Sequence, residues 1–154
     1  MDNKSGMTII VKTITRITVP TIILYGCYII FHGHLTPGGG FAGGVIIALA
    51  LLNVMIAFGR KFTNNWLNIN FLEKLESISA TLFLILGILG FLISSVFLFN
   101  FLSHGELFRL LSAGTIPVLN IIIGIKVAMS LFLVVWVLAG LKLDKGEELW
   151  FYIY

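Results

Sequence analysis

The chain alternates between long apolar stretches and short polar connections. Four of the stretches are each close to the roughly 20 residues that a helix needs to cross about 30 Å of hydrocarbon. They predict transmembrane helices over residues 14–31, 41–58, 77–101 and 115–140. The connections are too short to hold a soluble domain. We therefore predict an all-α, polytopic membrane protein in which residues 1–154 form a single membrane domain.

Composition supports this class. Hydrophobic residues make up 58% of the 154 residues and charged residues 11%, whereas soluble domains carry about 25% charged residues. The net charge of +3 does not indicate a nucleic-acid partner, because the Lys and Arg residues are scattered between the apolar stretches rather than clustered. The expected surroundings are the lipid bilayer.

The basic residues between the spans predict the orientation, since cytoplasmic loops carry an excess of Lys and Arg. Eight basic residues fall in the N-terminal segment, the second connection or the C-terminal tail, and only Arg109 falls in the other two connections. The eight are Lys4, Lys12, Arg16, Arg60, Lys61, Lys74, Lys142 and Lys145. We expect a multi-pass protein with both termini in the cytoplasm.

A glycine-rich junction separates the first two predicted helices. Its small or turn-forming residues are Pro37, Gly38, Gly39, Gly40, Gly43 and Gly44. The formal GxGxxG pattern lacks both a preceding strand and a later acidic residue, and no Lys-Ser or Lys-Thr pair follows, so neither a dinucleotide site nor a phosphate loop is expected. Gly40, Gly44 and Ala48 instead predict a flat helix face for close packing. We expect a neighbouring subunit to cover that face.

His32 and His34 stand where the first predicted helix should leave the membrane. A His-x-His pair could hold a divalent metal, form a structural or interface pair, or relay protons. Two ligands alone make a weak metal site, and no Cys or acidic residue is near in sequence. We therefore predict no metal and keep both histidines as candidates for an ion or proton path.

Lys126 is the residue that most suggests function. It follows Pro117 by about 13 Å of helix, which places it near the middle of a core about 30 Å thick. A Lys at that depth costs roughly 2.5–3.5 kcal/mol and needs a partner. Every acidic residue falls in a predicted connection, helix end or tail, so we expect no partner in this chain. Lys126 would then be neutral, face water, bind backbone carbonyls, or pair with a carboxylate on another polypeptide.

Two further polar residues share the last predicted helix with Lys126. Ser130 lies one turn beyond it on the same face, and Asn120 lies earlier on the helix. We consider two roles for this helix. Lys126, Asn120 and Ser130 either belong to a proton or ion path and its conformational coupling, or Lys126 makes a purely structural bond between subunits.

The segment from His34 to Gly44, HLTPGGGFAGG, directly follows one apolar helix and opens the next. This motif resembles the signature of the MnhB/MrpB family, one of the membrane subunits of the multi-subunit Mrp (Mnh) cation/proton antiporters. The entry to the last helix, Ser112 to Pro117, resembles the same family. The stretch from Asn120 to Val127 departs from the acidic antiporter pattern and looks more like the homologous subunits of membrane-bound hydrogenase-type respiratory complexes.

The resemblance implies an MnhB/MrpB-like subunit that works with other membrane subunits to exchange Na⁺ for H⁺. The expected location is the cytoplasmic membrane of a bacterium or archaeon. It implies no cofactor and no catalytic residue in this chain, with any redox chemistry on partner subunits, and a role in shaping the ion path. The single Cys, Cys27, cannot ligate an iron–sulfur cluster alone.

Two other functional classes are weaker. A self-contained, homo-oligomeric transporter or channel would be expected to carry a membrane-embedded Asp or Glu, and none is predicted in the spans. An integral membrane enzyme would need a cluster of His, Asp or Glu at one membrane depth, which the sequence does not place.

Overall fold

A computed structural model describes residues 7–102 and 113–140, which form five helices and contain no strand. The all-α prediction is confirmed. Four of the helices are long and apolar enough to cross a membrane, and a fifth, α3, is short. The helices are α1 (Ile9–Phe31), α2 (Gly39–Phe58), α3 (Arg60–Trp66), α4 (Ile69–Ser94) and α5 (Ile116–Leu138).

Helix α2 is the centre of the bundle. It packs against α1 on one side and against α5 on another, while α4 packs against α5. It is also the most buried of the four spans, and α4 is the least buried. The order in space is therefore α1, α2, α5, α4, which leaves much of α1 and α4 exposed at the edges of the bundle.

Helix α4 differs most from its predicted bounds of 77–101. It begins at Ile69 because the side chain of Asn68 accepts a hydrogen bond from the backbone N–H of Phe71 at 3.3 Å and caps the helix. The apolar pattern placed the first two turns in a connection because they contain charged residues. Backbone hydrogen bonding does not require apolar side chains, so the helix continues through them.

The other end of α4 also falls earlier than predicted. The helix ends at Ser94, and Ser95 adopts a left-handed conformation with φ of 59°. The chain then turns back on α4, where the ring of Phe97 packs against the side-chain-free surface of Gly87. Residues 95–101 are therefore not part of the span, although they are as apolar as the helix itself.

The glycines of α2 make the contacts that hold the bundle together. A methyl group added to Gly44 would lie 2.6 Å from the carbonyl oxygen of Gly124 on α5, and one added to Gly40 would collide with the Asn120 carbonyl oxygen. A methyl group on Gly43 would meet the Gly26 carbonyl oxygen of α1 at 2.7 Å. Helix α2 therefore approaches one neighbouring helix with each of two faces.

The expectation that the Gly40, Gly44 and Ala48 face lacks a partner within the chain is wrong. Helix α5 covers this face, and Ala48 is buried. The glycine spacing predicted a close helix contact, but it carries no information on which helix makes it. Gly124 supplies the matching small residue on α5.

The described basic residues outside α5 lie toward one end of the bundle. The backbone N–H of Met7 donates to the carbonyl of Ala57 at 2.9 Å, so the start of α1 lies beside the end of α2 and the start of α3. Both termini lie outside the described residues, as do Lys4, Arg109, Lys142 and Lys145.

Candidate intramembrane ion-pair site

A charged pair with a hydroxyl beside it lies between α4 and α5. The Lys126 Nζ is 3.5 Å from Oε1 of Glu76. The Ser130 hydroxyl donates a hydrogen bond of 2.6 Å to the same carboxylate oxygen. We call these three residues the α4–α5 polar cluster.

Helical spacing brings the three side chains together. On α4, Glu76 lies one turn from Leu72 and one turn from Ser79, and both of those residues are buried. On α5, Ser130 is one turn from Lys126, so the two side chains project from the same face. Leu72 belongs to the same hydrophobic core as Leu133 of α5, which fixes the register of the two helices next to the cluster.

The cluster lies well inside the spans. Lys126 is about 15 Å from the start of α5 and about 18 Å from its end, and Glu76 is about 10 Å from the start of α4, at 1.5 Å of rise per residue. Charged residues at such depth are expensive and pair with one another. A hydroxyl bond to a charged oxygen is about twice as strong as a neutral one, which accounts for its short length.

The chain itself covers the cluster only in part. The Lys126 side chain remains 44% exposed and the Glu76 side chain 31% exposed. Hydrocarbon cannot satisfy the remaining donors and acceptors of a charged pair, so this side of the bundle must meet water or polar groups of another protein. The cluster therefore forms an open polar surface at membrane depth.

The expectation that Lys126 has no partner in this chain is wrong. Glu76 is its partner, and it lies inside α4 rather than in a connection. A sequence signal for it existed: Asn68 directly before a periodic apolar pattern is a helix start, and a helix that starts there carries Glu76 two turns into the span. The same finding removes the absence of an embedded carboxylate as an argument against a self-contained transporter.

Asn120 lies apart from the cluster. Its side-chain oxygen accepts a hydrogen bond of 3.4 Å from the backbone N–H of Gly40, at the contact between α2 and α5. Asn120 is about 9 Å from Lys126 along the helix axis. The residue thus fastens the beginning of α2 to α5, beside the glycine-rich junction.

The two histidines follow the end of α1. The ring nitrogen Nδ1 of His32 is 3.0 Å from the carbonyl oxygen of Tyr28, and the two rings stack with centroids 4.1 Å apart. His34 is half-buried in the following turn. The contacts of His32 hold it against its own helix.

Metal-ligating residues do not gather in the part of the chain that the structure describes. No group of three or more His, Cys, Asp or Glu side chains there could hold a metal ion. What the α4–α5 polar cluster offers is a carboxylate, an ammonium group and a hydroxyl within 3.5 Å, a set that can exchange protons or bind a small cation through the carboxylate.

Comparison with known proteins identifies the family. Residues 10–133 match the family model described as a domain related to the MnhB subunit of Na⁺/H⁺ antiporters. The chain belongs to this MnhB-related family. The matched region contains the glycine-rich junction and all three residues of the α4–α5 polar cluster.

Curated relatives fall in the same MnhB-related group. An uncharacterised protein of Methanocaldococcus jannaschii is 38% identical over 82% of this chain and 52% of its own length. The candidate antiporter subunit mnhB2 of Staphylococcus aureus (strain Newman) is 36% identical over 57% of this chain and 54% of its own length. The chain spans about half the length of these relatives.

A solved structure shares the fold of this MnhB-related chain. It is a chain of the membrane-bound sulfane sulfur reductase, an archaeal respiratory membrane complex, with a TM-score of 0.73 and 34% identity. The match covers 86% of this chain and 60% of that chain.

Proposed function

We propose that the chain is a membrane subunit of an antiporter-type module that exchanges Na⁺ for H⁺, within a larger respiratory membrane complex. Its MnhB-related family and its likeness to a chain of an archaeal respiratory complex support this proposal. The location is the cytoplasmic membrane of a bacterium or archaeon, with the basic end of the bundle in the cytoplasm. The chain itself performs no redox or hydrolytic chemistry.

The α4–α5 polar cluster is the part of the chain that we place on the ion or proton path. The observation that carries this proposal is the Lys126–Glu76 pair, which lies deep in the spans yet remains 44% and 31% exposed. A pair that served only to join α4 to α5 would need no opening toward other groups. The open side instead allows a water chain or a polar residue of a neighbouring subunit to reach the carboxylate.

In this mechanism Glu76 is the group that receives the proton or cation. Lys126 balances its negative charge at membrane depth, and the Ser130 hydroxyl fixes the position of Oε1. Arrival of a proton or Na⁺ at the carboxylate weakens its attraction for Lys126. The ammonium group can then turn toward the open side, which couples occupation of the site to a movement of charge.

The test compares single and double variants in the assembled complex. We expect Glu76→Gln and Lys126→Met each to lower Na⁺-dependent collapse of a pH gradient in inverted membrane vesicles by at least about tenfold, or about 1.4 kcal/mol. Each single variant also leaves one charge unpaired, which by itself costs stability. Activity is therefore normalised to the amount of assembled complex.

The double variant Glu76→Gln/Lys126→Met separates the two roles. It removes both charges together, and replacement of a whole ion pair by neutral groups is often tolerated in stability. We expect normal assembly without coupled transport. Wild-type transport in the double variant would show that the pair is structural. The matched control is Glu73→Gln, an exposed carboxylate one turn earlier on α4, which should keep full transport.

A further inference from the structure

An open cleft lies at the basic end of the bundle, on the opposite side of α2 from α5. Helices α1, α2 and α3 line it, and its volume is about 240 Å³. An apolar cavity of about 150 Å³ is already large enough to bind benzene. The cleft can therefore take a substantial hydrocarbon segment.

Its lining is apolar and aromatic except at one point. Val19 and Val54 form its inner wall, and Phe62 and Trp66, one turn apart on α3, form its outer wall. The charged lining residue is Arg16, and no carboxylate lines the cleft among residues 7–102 and 113–140. Within the same ranges, no carboxylate pairs with the Arg16 guanidinium.

The guanidinium of Arg16 lies toward the mouth of the cleft rather than in the hydrocarbon. Although Arg16 is about two turns into α1, its Cζ lies 5.6 Å from the ring centroid of Phe58, the last residue of α2. A long basic side chain that bends back in this way reaches the level of the lipid headgroups. Trp66 on the short helix α3 is the type of residue that anchors at the same level.

We propose that this cleft binds one anionic phospholipid. The hydrocarbon chain lies between Val19, Val54 and Phe62, and the phosphate pairs with the Arg16 guanidinium, whose fork of N–H groups matches phosphate oxygens. Charge complementarity selects this occupant: the cleft has an apolar interior and a single cation at its mouth. Basic pockets between membrane helices recognise headgroups in this way. The proposal does not depend on the transport role of the α4–α5 polar cluster.

Photo-crosslinking in the cell's own membranes tests the site in the full chain. Phe62 is replaced by p-benzoylphenylalanine, the membranes are irradiated, and the mass of the adducts on the purified chain is measured. We expect adducts with the mass of anionic phospholipid. Arg16→Gln should lower their yield about fivefold, the effect of one basic residue near a headgroup. Lys74→Gln, which removes an exposed cation outside the cleft, should leave the yield unchanged.

A second measurement keeps the test valid if Arg16→Gln fails to fold. The chain with p-benzoylphenylalanine at position 62 is reconstituted in vesicles of phosphatidylcholine with a minority of phosphatidylglycerol. Enrichment of phosphatidylglycerol in the adducts above its mole fraction supports the site. Adducts in proportion to the mole fractions, or adducts with a polypeptide such as a partner subunit or residues 1–6, would overturn it.

Discussion

At the scale of single residues, Ser130 makes the shortest polar contact of the α4–α5 polar cluster, 2.6 Å to Glu76. A hydroxyl beside a carboxylate at this depth replaces water that the bilayer cannot provide. Lys126 alone, at 3.5 Å, does not saturate the carboxylate. Ser130 therefore determines where Oε1 is held, and Lys126 determines the charge balance.

Removal of the Ser130 hydroxyl should cost stability. We expect Ser130→Ala to lower the free energy of unfolding by about 1.5–3 kcal/mol, the contribution of a hydrogen bond to a charged group. Thermal denaturation of the purified protein in detergent measures the change. Ser77→Ala is the control, because the Ser77 hydroxyl bonds only the backbone of its own helix, at Glu73, and an effect within about 0.5 kcal/mol is expected. Equal losses in both variants would contradict the prediction.

At the scale of helices, the contact between α2 and α5 depends on the absence of side chains. Gly40 and Gly44 face Asn120 and Gly124 so closely that backbone oxygens occupy the space of a methyl group. Packing of this kind replaces the hydrophobic effect, which does not hold helices together within lipid. The α2–α5 contact also fixes α5, and with it Lys126 and Ser130.

Bulk on the glycine face should separate α2 from α5 without preventing insertion. We expect Gly44→Leu to reduce the yield of assembled complex strongly, because the side chain would meet the Gly124 carbonyl and Val127. Amounts of inserted and assembled protein are compared by membrane extraction and affinity purification. The control Leu49→Phe adds bulk on the exposed face of α2 and should assemble better than Gly44→Leu. Normal assembly of Gly44→Leu would show that the helices have room to separate.

The link between α4 and α5 depends on Asn100. Its side-chain amide donates to the carbonyl of Ala113 at 3.0 Å, and its oxygen accepts from the backbone N–H and the hydroxyl of Thr115 at 2.7 and 2.9 Å. These bonds close the two ends of the connection at the start of α5. They replace the side-chain cap that Thr115 does not provide.

Loss of this clasp should loosen the entry to α5. We expect Asn100→Ala to lower the free energy of unfolding by about 1–3 kcal/mol, because Thr115 is buried and its N–H would lose its acceptor. Asn100→Asp keeps the acceptor and loses only the donor to Ala113, so a smaller loss is expected. Thermal denaturation and protease accessibility near residue 113 report the difference. An Asp variant as unstable as the Ala variant would contradict this assignment.

At the scale of the whole molecule, the bundle has one basic end and one end formed by the glycine-rich junction. Cytoplasmic loops are rich in Lys and Arg, so the basic end is predicted to face the cytoplasm. The exposed edges of α1 and α4 and the open side of the polar cluster are the surfaces that partner subunits would cover.

Cysteine labelling should establish this orientation. In a Cys27→Ser background, we expect Leu35→Cys, in the turn between α1 and α2, to react with a membrane-impermeant maleimide added outside intact cells. Asn65→Cys, on the exposed face of α3 at the other end, should react only after the membrane is opened. The reverse pattern would invert the topology and place the basic end outside.

The sequence by itself determined the class of protein, the four spans and the existence of a close helix contact at Gly40 and Gly44. These follow from local quantities: run length, charge spacing and the recurrence of small residues every fourth position. The family resemblance, carried by a continuous motif from His34 to Gly44, was confirmed by the match over residues 10–133. Local patterns suffice for each of these conclusions because no distant residue needs to be located.

Only the tertiary structure decided which residues meet. Lys126 and Glu76 are separated by 50 positions, and their pairing requires both the true start of α4 at Ile69 and the register of α4 against α5. The glycine spacing likewise could not distinguish α5 from a helix of another subunit. Pairing between helices is set by the summed contacts along their whole length, and hydropathy, which treated Glu76 as an end to a span, contains no information about that sum.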